Sequence, residues 1–466
     1  MKYEQGKMTD VRLTYIGGGS QGWAWNFMTD LAMEPAMSGE VVLYDIDYPA
    51  AKANEIIGNR IDQTPGVRGR WTYRAVRSLE EALTGADFVA ISILPGTFDE
   101  MEVDVHLPER LGVWQSVGDT AGPGGMIRAL RALPMMADIA RAVRDFCPSA
   151  WVINYTNPMA LCVQALYHVF PEIRAFGCCH EVFNTQEVLA AAAGEYLGIP
   201  APRRQDVHVN VLGINHFTWF DRASYQGVDL FPAYRAFADK YYEDGFHEPD
   251  RNWANASFAC AHRVKFDLFR RYGFIAAAGD RHLAEFMPGD EYLKDPDTVR
   301  SWKFGLTSVQ WRKEDQRRRR EKSRAMAAGE LEPDMEPSGE EGVQLMKALV
   351  GLDRRVSNVN LPNAGQIPNL PLGAVVETNA VFSRDSVQPV LAGPLPQALY
   401  RLTMPHVENA ARILEAAFRC DRELVVQSFL ADPNFKAKCG DAEEARRLVD
   451  DMIAGTSRYL PEGWKA

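Results

Sequence analysis

Cysteine is scarce in this sequence: 466 residues hold seven, an odd number scattered over positions 147, 162, 178, 179, 260, 420 and 439. That spread excludes a disulfide framework, which needs paired cysteines crowded into a short chain. Long apolar runs are also missing, none approaching the roughly 18 residues of a membrane span. Residues 1–10 are polar, without the apolar segment of a secretory leader, so a cytoplasmic protein is expected. Positive charge does not dominate, since 51 Lys and Arg face 62 Asp and Glu for a net charge of −11. Such a balance argues against a nucleic-acid surface. Repeats and low-complexity tracts are absent too. What remains is an ordinary globular composition, 46 % hydrophobic and 24 % charged, on a chain too long for one core; two joined domains are expected.

The first chemistry-bearing stretch follows a strand-like run, Val11-Arg12-Leu13-Thr14-Tyr15-Ile16. Gly17-Gly18-Gly19-Ser20-Gln21-Gly22 is a full G-x-G-x-x-G, with Gly17 for the tight turn, Gly19 for close approach of a pyrophosphate and Gly22 for helix packing. A second apolar strand, Val41-Val42-Leu43-Tyr44-Asp45, ends in an acid suited to the ribose hydroxyls of NAD and repulsive to the extra phosphate of NADP. Strand, glycine loop, helix and ribose acid in this register predict a dinucleotide site. The β-α alternation continues through residues 86–93, 151–155 and 173–179. In an open α/β sheet ligands bind beyond the carboxyl ends of the strands, which puts Asn157 and Cys179 on the rim that holds the glycine loop.

Residues 115–125 contain four glycines and one proline around a lone acid, Asp119, before a helix expected near Met126. This reads as a loop shaped over a ligand, against the plainer reading of Asp119 as a cap or turn residue. Further on, Cys178-Cys179-His180-Glu181-Val182 and Gly213-Ile214-Asn215-His216 offer a thiolate and an imidazole. If adjacent cysteines lie on a strand, one packs inward while the other faces a cleft. Two protein ligands, Cys179 and His216, would leave open coordination positions, unlike the four of structural zinc. After about residue 200 the pattern changes to longer segments, including an apolar run at 272–278 that leads into Gly279-Asp280-Arg281-His282. The basic run at 312–324, with its interleaved acids, reads as a solvated helix; 329–339 reads as a loop, and 399–418 and 442–454 as helices.

Taken together, these motifs resemble glycoside hydrolase family 4, the glycosidases that depend on NAD and a divalent metal. The resemblance rests on the glycine loop, Gly118-Asp119-Thr120, Gly122-Pro123-Gly124-Gly125, Thr156-Asn157-Pro158, Cys179-His180-Glu181-Val182 and Gly213-Ile214-Asn215-His216. It implies an α/β fold: an N-terminal Rossmann domain over 9–200 that binds NAD, then an α+β domain over 201–466, like that of lactate and malate dehydrogenases, for substrate, metal and oligomerisation. It also implies that Cys179 and His216 hold the metal, usually manganese, and that the protein is a homodimer or homotetramer. In the phosphosugar enzymes of the family an aspartate or asparagine follows the cysteine and a proline comes fourth; here His180 and Val182 stand there. That departure points to unphosphorylated α-glucosides or α-galacturonides.

The chemistry implied is oxidation of the sugar C3 hydroxyl by NAD, removal of the acidified C2 proton, loss of the glycosidic oxygen from C1, addition of water and return of the hydride. Asp280 resembles the family's base at C2, with an ion pair to Arg281 or a helix cap as its plainer alternative. Asp119 or His180 would protonate the leaving oxygen. Asn157, His180, Arg281 and His282 are expected to bind the sugar, and a carboxylate at C6 would suit the fork of Arg281. The expectation is therefore an α-galacturonidase. An α-glucosidase of the same family, a hydroxy-acid dehydrogenase and a nucleotide-sensing module are the alternatives: matched glycosides decide the first, metal dependence of activity excludes the second, and any turnover removes the third.

Overall fold

The computed structural model describes residues 1–247 and 259–465. Its framework is a twisted sheet. β1 (Lys2–Glu4) runs antiparallel to β2 (Lys7–Ile16). β3 (Met37–Tyr44), β4 (Arg70–Val76), β5 (Phe88–Ile91), β6 (Trp151–Asn154) and β7 (Arg174–Gly177) then join β2 in one parallel array, in the order β4-β3-β2-β5-β6-β7. Counted within the array this is 3-2-1-4-5-6, the doubly wound dinucleotide-binding order, with its crevice where β2 and β5 diverge. The last residues of β2 and all of β5 are buried, because helices cover both faces of a parallel sheet.

Beyond the array the chain builds a second, smaller sheet from β8 (His208–Ile214), β9 (Phe217–Tyr225), β10 (Val228–Asp229) and β11 (Ile275–Ala276). It then returns to the first. β12 (Arg355–Pro362) pairs antiparallel with β7 through Asn360 and Gly177, and β13 (Val375–Ser383) and β14 (Ser386–Pro389) follow outward. The first sheet is thus completed by residues far beyond 200. Its core is shared in the same way. One face packs helix Gly122–Phe146 against helices Gln397–Arg419 and Ala442–Thr456, and the other packs Trp23–Met33 beside Gly342–Leu349. Ile127, Leu130 and Leu133 have no exposed surface, and each contributes about 1.5–3 kcal/mol by leaving water.

Three local readings change. Gly122-Pro123-Gly124-Gly125 is the first turn of helix Gly122–Phe146, not loop. Glycine is needed because a Cβ on Gly124 would lie 2.8 Å from both Gly118 O and Asp104 O, and one on Gly125 2.4 Å from the Thr120 carbonyl carbon. β7 stops at Gly177, so Cys178 and Cys179 lie past the strand end. The run at 272–278 shrinks to the two residues of β11, since Gly273 ends the preceding helix in a left-handed turn (φ +76°). The helices expected at 399–418 and 442–454 are present as Gln397–Arg419 and Ala442–Thr456, and the basic run lies in helix Val309–Ala328. No helix of the described residues is long and apolar enough to cross a membrane.

Candidate functional site

The carboxyl ends of β2, β5, β6 and β7 open on one rim. At the end of β2, Gly17 takes φ +90°, and a Cβ there would lie 2.0 Å from Ser92 O at the end of β5, so no other residue fits. Gly17 and Gly18 both donate their N–H to Tyr44 O at 2.9 Å. Asn54 ties the loop down by donating to Gly18 O and Ser20 O, and Arg319 donates to Gln21 O at 3.0 Å from the basic helix. Gly22 caps the 11-residue helix Trp23–Met33, whose N-terminal N–H groups and dipole suit a phosphate. Just past β3, the half-buried Asp45 accepts from Gly19 N and Asp47 N, both at 2.9 Å, and burial raises its pKa. Each of its oxygens keeps a second lone pair for a further donor. The loop and its acid therefore fit a dinucleotide.

Across the rim lies Asp119. Its loop is held from below: Gln115 accepts from Gly124 N at 2.8 Å and donates to Asp104 O at 2.7 Å. Glu285 Oε1 accepts from Val117 N at 2.7 Å and Gly118 N at 2.8 Å. Burial pushes the Glu285 carboxyl up to about 8 in spite of these donors. Asp119 itself accepts from Thr120 Oγ1 at 2.8 Å and from Asn157 Nδ2 at 3.3 Å, while Arg128 Nε donates to Asn157 O at 3.0 Å. Burial alone would raise the Asp119 carboxyl, but the charge of Arg128 above all, with the hydrogen bond from Thr120, outweighs it and holds it well below the usual carboxylate range.

His216 sits in the two-residue turn between β8 and β9, where Ile214 faces Phe217. Its Nδ1 is 3.1 Å from Thr120 Oγ1. The single hydroxyl proton of Thr120 goes to the Asp119 carboxylate, so Nδ1 must be the donor and Nε2 keeps its lone pair. Burial, reinforced by His282, drives its pKa down to about 3, so the ring is neutral. His282 stacks on it, and its buried Nδ1 meets no hydrogen-bond partner among the described residues. Asp119, His216 and His282 bring three ligand atoms within 4.8 Å of one another. A neutral lone pair, an orphaned ring nitrogen and a carboxylate are a donor set that fits a divalent cation.

Cys179 falls outside that trio. It is buried against Met159, Val163 and Val375, and its thiol is pushed up by burial and by the charges of Glu377 and Glu181. Asn215, next to His216 in the chain, donates to Glu377 Oε2 at 3.1 Å, and Glu377 in turn is one of the charges that act on the Cys179 thiol. His180 is 42 % exposed, with Nδ1 3.0 Å from Glu340 and Nε2 3.9 Å from Glu181. Its ring also lies 6.0 Å from that of Trp23 at the head of the glycine-loop helix.

The segment 279–282 is arranged differently from expectation. Asp280 has no exposed surface, and its oxygens accept from Val264 N at 3.2 Å and Lys265 N at 3.1 Å, capping helix Arg263–Tyr272. Burial nonetheless raises it to about 6, against the pull of Lys265 and these donors. It also groups with Cys260 and His262. Arg281 does not present its fork to the rim. Its Nε donates to Gly305 O at 3.1 Å, and its Nη2 to Ser116 O and Thr307 Oγ1, because a guanidinium that is 5 % exposed takes the acceptors around it. Glu181, unassigned in the sequence, is central: it accepts from Gly279 N at 2.6 Å and lies 3.7 Å from His282. Arg128 and Glu285 were also missed. Arg128 follows the glycines by one helical turn, the only hint the sequence held; Glu285 carried none.

Comparison with known proteins gives a consistent result. The family profile described as family 4 glycosyl hydrolase matches residues 12–195, and that of the family 4 glycosyl hydrolase C-terminal domain matches 211–435. An α-galacturonidase of Lachnoclostridium phytofermentans is 62 % identical, with 100 % of each chain covered. A crystal structure of the putative glucosidase lplD from Bacillus subtilis superposes with a TM-score of 0.90 at 51 % identity, covering 96 % of this chain and 100 % of that one. A 6-phospho-α-glucosidase from gut microorganisms, in complex with NAD and Mn2+, shares the fold with a TM-score of 0.78 at 20 % identity, covering 97 % and 99 %.

Proposed function

Since this chain belongs to family 4 of the glycosyl hydrolases, we propose that it is an α-galacturonidase, cleaving an unphosphorylated α-galacturonide with NAD and a divalent metal, manganese by preference. The observation that carries the reading is the 62 % identity over the whole chain to an α-galacturonidase, joined to a rim whose donor set fits a cation and whose glycine loop fits a dinucleotide. In this reading residues 9–200 bind NAD, residues 201–466 serve substrate, metal and assembly into a homo-oligomer, and β12 to β14 close the first sheet from the second part.

The protein residues divide the work. Gly17, Gly18, Gly19, Ser20, Gln21 and Gly22 cradle the pyrophosphate, and Asp45 takes the ribose hydroxyls. Bound NAD supplies a hydride acceptor that can be returned within one turnover. His216, with Asp119 and His282 beside it, would hold the metal, with Cys179 as the further ligand that the family resemblance implies; the bound ion would supply a Lewis acid for the C2 and C3 oxygens. Asn157 fixes Asp119 and so the floor on which the sugar rests. Asp280 takes the C2 proton: burial lifts its affinity to a useful range, and each oxygen still has a lone pair besides the one that caps the helix. Of the two candidate acids, Asp119 is held ionised by Arg128, and an ionised carboxylate has no proton to give. His180, between Glu340 and Glu181 on the open side, therefore protonates the leaving oxygen.

The deciding experiment compares kcat/KM for matched nitrophenyl α-galacturonide, α-glucuronide, α-galactoside and α-glucoside in the presence of Mn2+, NAD and reductant. The galacturonide is expected to lead by at least tenfold. A lead for the neutral glucoside would make the protein an α-glucosidase, and turnover undiminished after exhaustive chelation would remove the metal from the reading. In D280N, solvent deuterium exchange at C2 should nearly vanish; exchange at the wild-type rate would place the base elsewhere.

A further inference from the structure

Cys179 and His216 reach the rim from separate elements, Cys179 past the end of β7 and His216 in the turn between β8 and β9. The returning strands β12 and β13 touch both. On β12, Asn360 pairs with Gly177 at the end of β7. Antiparallel register then sets Asn358 opposite Cys179, and the Asn358 amide donates to Cys179 O at 3.3 Å. On β13, Asn379 donates to Val209 O of β8 at 2.7 Å. Two residues earlier on the same face, Glu377 accepts at 3.1 Å from the side chain of Asn215, the residue before His216.

One carboxylate joins these two attachments. Glu377 Oε2 takes the Asn215 amide, and Oε1 takes the Asn358 amide at 2.7 Å. All three side chains are buried, with Glu377 1 % exposed, Asn215 2 % and Asn358 5 %. Among the described residues no Lys, Arg or His makes an ion pair with Glu377, so its charge rests on neutral amides. A carboxylate is costly to bury among neutral partners, and a cation bound at the neighbouring ligands offsets that cost.

We infer that Glu377 is a positioning residue of the metal site: by gripping Asn215 and Asn358 at once, it sets the spacing between the turn that carries His216 and the segment that carries Cys179. The inference rests on the metal reading above. An asparagine amide left alone can turn about its own side chain, whereas a carboxylate that accepts from both amides leaves each of them one orientation. The strands that close the first sheet from the second part of the chain thereby acquire a task at the rim.

The test measures Mn2+ affinity, from the free-ion EPR signal, in wild type, E377Q, E377A, N358A and N358A/E377A, with the metal-free NAD dissociation constant and the melting temperature beside it. E377Q has one carbonyl and one amide where the wild type has two acceptors, so one of the two asparagines loses its bond. Mn2+ is expected to bind about 10-fold more weakly in E377Q and ~10- to 100-fold more weakly in E377A, while NAD, held by the cradle on β2 and β3, stays within about threefold of wild type. N358A should weaken Mn2+ as well, and the double variant should be little worse than E377A, because both residues act through one chain of bonds; additive losses would mean two independent contacts and overturn the single bridge. Mn2+ affinity within about threefold of wild type in folded E377A overturns the inference, and so does a matching loss of NAD affinity, which would mark a general loosening of the sheet. If E377A does not fold, E377Q decides by the same limits. A wild-type protein that takes up no Mn2+ sinks the metal reading, and the inference with it.

Discussion

The imidazoles of His216 and His282 lie almost face to face, with ring centroids 3.8 Å apart and planes 33° from parallel. Two rings this close stay neutral: burial depresses the pKa of both, and each would repel a proton on the other. Neutral imidazoles are what a metal ion needs, and the pair would be costly to leave charged. Mn2+ binding, followed by the free-ion EPR signal, should therefore weaken ~100-fold or more in H216A and C179S. In H282A it should weaken ~10- to 100-fold, the usual effect of altering a ligand or its immediate support. Unchanged Mn2+ affinity in H282A would remove that ring from the donor set and leave His216, Asp119 and Cys179.

Asp45 should govern the choice of cofactor. Its carboxylate stands at the end of β3, already bridged to Gly19 N, and its charge opposes a 2′-phosphate. In D45N one of the two accepting oxygens survives, enough to keep the bond from Gly19 N, and the charge goes. The NAD-over-NADP ratio of dissociation constants, measured by protein fluorescence, should then shrink by at least about tenfold, or ~1.4 kcal/mol. A ratio that does not move would assign the discrimination to another residue.

Glu285 sets an alkaline limit on stability. Its carboxyl is buried, holds Val117 N and Gly118 N on one oxygen, and titrates at about 8 in the fold against an ordinary 4.5. A carboxyl whose pKa is raised by folding contributes stability that is complete below 4.5 and is lost as pH rises through 8, because the unfolded chain releases the proton first. Thermal or urea unfolding should show wild type losing on the order of 3 kcal/mol relative to E285Q between pH 5 and pH 9. Parallel pH profiles for the two proteins would mean that Glu285 ionises freely in the fold.

The sequence by itself was enough to propose the dinucleotide cradle. Gly17 to Gly22 and Asp45 are close in the chain, and their function follows from backbone freedom and one charge, both local properties. The same holds for five of the six parallel strands, read from β-α alternation, though not for β4 (Arg70–Val76), and for the terminal helices, whose 3.6-residue periodicity records a face to be buried. It equally supplied Cys179, His216 and Asp119 as separate motifs. Only the tertiary structure decided how they meet. Asp119, His216 and His282 come from an inter-strand loop, a hairpin turn and a short helix, 97 and 66 residues apart in turn, and no pattern along a chain encodes which of them share a cavity. Burial decided the rest. Arg281 looked like the substrate's arginine because its neighbours in sequence are catalytic candidates, yet enclosure gave its donors to Ser116, Gly305 and Thr307. What a charged side chain does depends on the desolvation it suffers and the partners it finds, and both are properties of the folded neighbourhood.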